Sequence, residues 1–236
     1  MSDYQEFLKS KQLTIVNSGF EVEQNEISEI LFDYQKDLVK WAIKKGKAAL
    51  FVDTGLGKTL MQLEFARLVY EKEKKPILIL APLAVSQQTI REGKEKLGID
   101  IKYIKATEEI CDSYNITNYE RLEGLEVEKF NCIVLDESSI LKSFTGKTRQ
   151  NIVDKFIKTP YKLACSATPA PNDYMELGNH SEFLNELSYK EMLAMYFVHG
   201  GGETATWRLK GHAKDKFWEM VSHLGGSSKK TKRFRI

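Results

Sequence analysis

Short apolar runs near residues 48–52, 77–81, 101–104, 113–116, 131–135 and 161–165 are each bounded by turn residues, and amphipathic stretches near 33–45, 58–72, 84–97, 147–157 and 173–186 fall between them. Runs apolar on both faces suit strands covered by helices on either side, and their alternation with helical stretches predicts an α/β sandwich with a mainly parallel sheet. Right-handed crossovers then bring the carboxyl ends of the strands to one edge, where open α/β sheets hold ligands. Beyond about Asn185 the pattern weakens, and Gly200-Gly201-Gly202 interrupts the chain ahead of Trp207, Phe217 and Trp218. A short, mostly helical extension is expected there.

Composition narrows the class. The 236 residues are 42% hydrophobic and 29% charged, enough for one good core in an ordinary globular domain. The N-terminus, Met1-Ser2-Asp3-Tyr4-Gln5-Glu6, is polar, and no apolar run approaches the ~18 residues of a membrane span. A cytoplasmic location without membrane contact is therefore expected, in the host cytoplasm if the protein is viral. Cys111, Cys132 and Cys165 show neither pairing nor metal-ligand spacing and read as reduced thiols. With 35 basic and 33 acidic residues the net charge is only +2, so charge alone points to no partner. The exception is the tail, where Lys229, Lys230, Lys232, Arg233 and Arg235 follow Gly225-Gly226-Ser227-Ser228. It reads either as phosphate contacts to nucleic acid or as a solvated end.

The first run ends in Phe51-Val52-Asp53-Thr54-Gly55-Leu56-Gly57-Lys58-Thr59. A strand feeding a glycine-containing turn that opens a helix aims backbone N–H groups and the helix N-terminus at one anion. Gly55 and Gly57 let the backbone approach phosphates, Lys58 supplies a charge for the β- and γ-phosphates of ATP, and the Thr59 hydroxyl is placed to ligate Mg²⁺. The stretch Thr54, Gly55, Leu56, Gly57, Lys58 and Thr59 is thus the candidate nucleotide loop. Val52 stands where the eight-residue P-loop pattern has its first glycine, leaving the shorter Gly-x-Gly-Lys-Thr form. Taken alone, this stretch also fits a glycine-rich helix start.

Cys132-Ile133-Val134-Leu135 runs into Asp136 and Glu137. An apolar strand ending in two carboxylates puts them at the carboxyl edge of a parallel sheet. Asp136 would hold Mg²⁺ through its water shell, and Glu137 would orient and deprotonate the attacking water. Taken alone the pair also fits an exposed acidic turn after a buried strand; with Lys58 and Thr59 it reads as the second half of an ATP-hydrolysing site.

These ordered motifs resemble the first motor lobe of superfamily 2 DNA helicases, especially the Swi/Snf-like translocases and related phage-encoded helicases. The resemblance covers roughly residues 27–187 and implies a RecA-like P-loop sandwich. It divides the chain into a 1–26 segment, a 27–187 ATP-binding lobe and a 188–236 partial extension. Leu31-Phe32-Asp33-Tyr34-Gln35 is similar to the family's adenine-recognition element, implying that Gln35 bonds the adenine edge while an upstream aromatic packs on the ring. Pro76 to Glu92, around Leu80-Ala81-Pro82-Leu83, resembles a loop that contacts the tracked strand, with Ser86, Gln87 and Gln88 as donors. Ile116-Thr117-Asn118-Tyr119-Glu120 looks like the next such motif, which implicates Thr117.

Asp136-Glu137-Ser138-Ser139 departs from the Asp-Glu-x-His and Asp-Glu-Ala-Asp forms but keeps the catalytic pair. Lys142 and Lys147 resemble basic positions following this motif. Ser166-Ala167-Thr168-Pro169 matches the family's Ser-Ala-Thr motif, implying that Ser166 and Thr168 couple the Asp136 loop to nucleic-acid binding. Asn172-Asp173, Glu176-Leu177 and Phe183-Leu184 continue a Swi/Snf-like pattern. His180, His199, His212 and His223 show no metal-binding spacing and read as structural or solvated.

The resemblance thus implies a nucleic-acid-dependent ATPase whose partner is DNA, expected as duplex, with RNA as the alternative polymer. Motors of this class close a second RecA-like lobe over ATP, and nothing after Asn185 is long enough to be one. That lobe is expected in trans or lost by truncation, and turnover by this lobe alone is expected to be slow. Two other readings remain open from sequence: a small-molecule P-loop phosphotransferase and a non-catalytic binding remnant.

Overall fold

The computed structural model describes residues 17–142, 147–170, 172–200 and 207–227. The basic residues 229–235 of the tail, the N-terminal residues 1–6 and the side chains of Lys142 and Lys147 lie outside the described residues.

The chain runs α1 (Asp33–Lys45), β1 (Lys47–Phe51), α2 (Lys58–Glu73), β2 (Ile77–Leu80), α3 (Leu83–Leu97), β3 (Ile101–Tyr103), β4 (Tyr114–Thr117), β5 (Cys132–Asp136), α4 (Lys147–Lys155) and β6 (Tyr161–Ser166). It continues through α5 (Leu177–Phe183), α6 (Tyr189–Tyr196), β7 (Phe197–His199), β8 (Trp207–Leu209), α7 (Lys214–Leu224) and β9 (Gly225–Ser227). A seven-stranded sheet has the order β3-β4-β2-β5-β6-β1-β9, and every pairing in it is parallel. Among the described residues, no helix is long and apolar enough to cross a membrane.

Strand alternation divides the core. Cys132 and Val134 face one layer, with Val39, Leu63 and Phe65 of α1 and α2, whereas Ile133 and Leu135 face the other, with Phe156, Phe183 and Phe217. α2 is covered on almost every side, which buries the polar Gln62 and Glu64 with its apolar residues. The Glu64 carboxylate accepts from the Ser28 N–H at 2.7 Å and from Arg67 Nε at 2.9 Å and Nη2 at 2.7 Å. Arg67 Nη2 also donates to the Glu26 carbonyl at 2.6 Å, which clamps the segment before α1 to this helix.

The helix expected over 173–186 is divided. Asp173 accepts from the Met175 N–H at 2.9 Å, a 3₁₀ turn spans Tyr174–Glu176, and α5 ends before Asn185, whose φ of 60° is left-handed. The extension expected to be mostly helical also carries strands among its described residues. Phe217 of α7 packs among Tyr196, Phe197 and Trp218, and β9 adds to the sheet beside β1. Gly225 is a strand residue paired with Ala49, and a Cβ there would come 2.4 Å from the Phe51 ring. Packing is therefore continuous across residue 187.

Lys162 of β6 is fully buried, donating to the Phe183 carbonyl at 2.8 Å and Asn185 Oδ1 at 3.0 Å. Burial, reinforced by Lys47, pushes its ammonium down from 10.5 to about 7. Between these values the unfolded chain binds more protons than the folded one, so stability rises with pH across this window. The expected slope, reduced by the two carbonyl acceptors, is about 1 kcal/mol per pH unit or less. Denaturant titrations at pH 7 and pH 9 should show this rise, and Lys162→Met should remove it. Equal slopes in the two proteins would contradict the account.

Candidate active site

Strand pairing decides which loops meet. β1 lies against β6 with Phe51 opposite Ser166, and β6 lies against β5 with Asp136 opposite Cys165. Segments distant in sequence thus leave the sheet together: the glycine loop after β1, the carboxylates after β5 and the Ser166 turn after β6. The Val52 N–H donates to the Ser166 carbonyl at 3.1 Å, extending the pairing into the loop.

Gly55 and Gly57 have φ of 80° and 76°, the left-handed region that side chains rarely adopt. A Cβ on Gly57 would also come 2.3 Å from Gln35 Nε2. Gly57 caps α2, so the unpaired N–H groups of the helix's first turn and its positive dipole end open onto the loop. Lys58 folds over this loop, its Nζ donating to the Val52 carbonyl at 3.2 Å. Thr54 is exposed, while Leu56 and Thr59 are half-buried.

Gln35, expected to contact adenine, has its side-chain amide bonded within the protein. The side chain is 3% exposed; its Oε1 accepts from the Phe32 N–H at 2.9 Å and its Nε2 donates to the Leu56 carbonyl at 3.0 Å. Both ends of the amide are thus engaged in tying α1 to the glycine loop. Tyr34 Oη donates to the same carbonyl at 2.9 Å. The rings of Phe32 and Tyr34 are exposed and stacked, 6.2 Å apart and 11° from parallel.

Glu137 has a φ of 56°, in the left-handed region despite its side chain. Its Oε1 accepts from Ser166 Oγ at 3.0 Å, and the same hydroxyl accepts from the Thr168 N–H at 3.0 Å. The Thr168 residue itself is exposed, and its link to this cluster is through its backbone. Burial pushes the Asp136 carboxyl above its ordinary value, reinforced by Glu137 and opposed by Gln62 and Lys58. The Gln62 amide stands close enough to oppose the shift, yet neither of its polar atoms has a partner in hydrogen-bond geometry.

Sequence reasoning passed over two further groups here. Tyr119, read only as part of a strand-contact motif, is buried, and its hydroxyl donates to the Asp136 carbonyl at 2.5 Å. Burial pushes its phenol well up, so it remains a neutral donor. His180, read as structural or solvated, lies 3.1 Å from Ser138 Oγ through its Nε2. Neither contact could be foreseen without the packing of residues far apart in the chain.

The residues expected to contact a nucleic-acid strand separate by exposure. Ser86 is fully buried and its hydroxyl donates to the Pro82 carbonyl at 3.2 Å, because it lies on the inward face of α3. Thr117 is also fully buried, donating to the Ile104 carbonyl at 2.7 Å from an interior position of the sheet. Neither presents its hydroxyl at the surface in this structure. Gln87 and Gln88 are exposed, and Gln88 donates to Glu92 at 2.9 Å.

Fold and loop arrangement define a RecA-like lobe with its candidate site at the carboxyl edge of a parallel sheet. The chain belongs to the SNF2-related domain family, whose profile matches residues 34–199. The SWI2/SNF2 ATPase core of Sulfolobus solfataricus, solved in complex with dsDNA, superposes with a TM-score of 0.69 at 21% identity, covering 91% of this chain and 48% of that one. A Caenorhabditis elegans homolog of SWI/SNF-related matrix-associated actin-dependent regulator of chromatin subfamily A-like protein 1 is 28% identical over 162 residues, 63% of this chain and 23% of that protein. Putative protein p41 of Acyrthosiphon pisum secondary endosymbiont phage 1 is 27% identical over 177 residues, 65% of this chain and 38% of its own length. This chain therefore spans less than half of each of these proteins.

Proposed function

We propose that this chain is the ATP-binding lobe of a superfamily 2, Swi/Snf-type DNA motor, converting ATP and water to ADP and phosphate in a cycle coupled to movement along DNA. The observation that supports it best is the convergence of Lys58, Asp136, Glu137 and Ser166 where β1, β5 and β6 end. The two left-handed glycines and the helix N-terminus fit a polyphosphate. The partly buried Asp136 carboxylate, together with the Thr59 hydroxyl on the first turn of α2, fits a magnesium ion. When bound, Mg²⁺ would supply charge neutralisation for the phosphates.

The protein's own groups account for the remaining steps. N–H groups of the 55–59 segment and the Lys58 ammonium bind and orient the β- and γ-phosphates. Glu137 orients a water molecule and accepts its proton as the water oxygen bonds the γ-phosphorus and the bond to the β-phosphate oxygen breaks. Ser166 holds the Glu137 carboxylate and relays its state through the Thr168 turn. Gln35 fixes the loop, and Phe32 with Tyr34 offers ring faces for the base. A second RecA-like lobe, on another chain or a longer one, would contribute arginine to the γ-phosphate, worth about 10³–10⁵ in rate.

Duplex DNA is the favoured polymer because the Sulfolobus relative was solved with it. The test is ATP hydrolysis by the purified protein with no polymer, duplex DNA, single-stranded DNA and RNA, with Lys58→Ala as the control. DNA-stimulated turnover that Lys58→Ala removes is the expected result. Stimulation by RNA alone, or by a small phosphate acceptor, would replace this reading.

A further inference from the structure

Ser138 and His180 form a polar contact in the interior of the protein. Both are fully buried, and no water-facing surface is left on either. Ser138 immediately follows Glu137, whereas His180 comes from α5, so the contact joins the carboxylate turn to a different layer of the fold. The imidazole also sits edge-on to Phe51, with centroids 5.4 Å apart and planes at 87°. Phe51 ends β1 immediately before the glycine loop. One side chain therefore touches the roots of both halves of the candidate site.

The chemistry of this contact is directional. Burial pushes the imidazole down to about 4, leaving it neutral at ordinary pH. The Glu176 backbone opposes this shift, and Nδ1 has no partner in hydrogen-bond geometry. With the ring proton on Nδ1, Nε2 is the acceptor and the Ser138 hydroxyl donates to it. A buried hydroxyl without this acceptor would be left unsatisfied, and the turn would rearrange to reach another partner. The consequence falls on Glu137, whose left-handed φ of 56° persists only while neighbouring contacts hold it.

We propose that His180 is a positioning residue, anchoring Ser138 so that the Glu137 carboxylate stays on its hydrogen bond from Ser166 and aimed at the γ-phosphate. The proposal rests on the catalytic role assigned above to Glu137. His180 touches no substrate; it acts through the turn. A displaced base lowers turnover without lowering the affinity of the glycine loop for ATP.

The test compares His180→Ala, His180→Gln, Ser138→Ala and the double variant Ser138→Ala/His180→Ala with the unaltered protein. The expected result for His180→Ala is a kcat lower by roughly 10- to 100-fold, the scale of a misplacement near 1 Å, with ATP affinity within about twofold. His180→Gln, which returns a polar group near the Nε2 position, should recover most of the rate. The double variant should be no slower than the worse single, because both remove one link. An unchanged kcat, a parallel loss of ATP affinity, or a Gln variant as slow as the Ala variant would overturn the proposal.

Amide hydrogen exchange over residues 137–140 supplies a readout that needs no turnover. Exchange there should accelerate in His180→Ala and return in His180→Gln, while the β2 segment stays protected. Unchanged exchange would overturn the positioning role. If the unaltered protein hydrolyses no ATP with any polymer yet shows this exchange pattern, the motor reading fails while the anchoring of the turn stands.

Discussion

Glu137→Gln is expected to lower ATP turnover by about 10²–10⁴-fold, the range carried by a positioned general base. ATP binding should survive the change. Glutamine keeps the length of the side chain and a carbonyl oxygen for the Ser166 hydroxyl, which donates to Glu137 Oε1 at 3.0 Å. What it loses is the ability to accept a proton from water. Nothing in the glycine loop is altered, and the groups proposed above to bind phosphate, the N–H groups after Gly55 and the Lys58 ammonium, stay in place. Lys58→Ala should differ by weakening ATP binding as well, through loss of a cation on the phosphates. Titration with a fluorescent ATP analogue and steady-state phosphate release separate the two outcomes. Turnover by Glu137→Gln equal to that of the unaltered protein would remove Glu137 from the catalytic role.

Glu64→Ala is expected to cost about 3–5 kcal/mol of folding stability, the usual penalty for breaking a buried ion pair by removing one partner. Glu64 is fully buried and receives the Ser28 N–H and two donors of Arg67. Its proximity holds the Arg67 guanidinium above its ordinary range, showing how strongly the charged form is favoured in place. Alanine would leave that guanidinium with only the half-exposed Glu71 carboxylate and the Glu26 carbonyl, and would leave the Ser28 N–H without its acceptor. Glu64→Gln should cost less, because an amide oxygen can still accept from Ser28. Denaturant unfolding of the three proteins at neutral pH gives the order directly. A loss below about 1 kcal/mol for the alanine variant would mean that the clamp contributes no more than an exposed pair. Freed N-terminal residues ahead of α1 would also become more open to protease, and Gln35, at the start of α1, would hold the glycine loop less firmly.

Strand positions were the most legible part of this fold. Both faces of each central strand are covered, so β2 and β5 read as nearly continuous apolar runs, and β6 is broken only by the buried Lys162. The glycine loop was legible for a related reason. Left-handed backbone at residues 55 and 57 requires glycine, and a helix start beside it requires no partner elsewhere. Less legible was Ser86, which by type and position near a helix start looked like a surface donor. The helical rotation that turns it inward is settled by what α3 packs against, and a stretch with few strongly apolar residues marks that rotation weakly. Gly225 and Gly226 carried no signal of β9, since glycine occurs in loops and in strands pressed against large rings alike.

The local chemistry of this protein was therefore determined by sequence: the order of strands and helices, the turn that presents Lys58, and the carboxylates that end β5. Interactions within a few residues set these features, and such interactions are written consecutively in the chain. Tertiary structure alone decided that β1, β6 and β5 are neighbours, which brings Ser166 to Glu137 and Tyr119 to Asp136. It also decided that Gln35 braces a loop, that β9 joins the sheet, and that an imidazole from α5 meets Ser138. The physical reason is that parallel strands are joined by long crossovers, so lateral order and register are chosen by burial over the whole core rather than by any one segment.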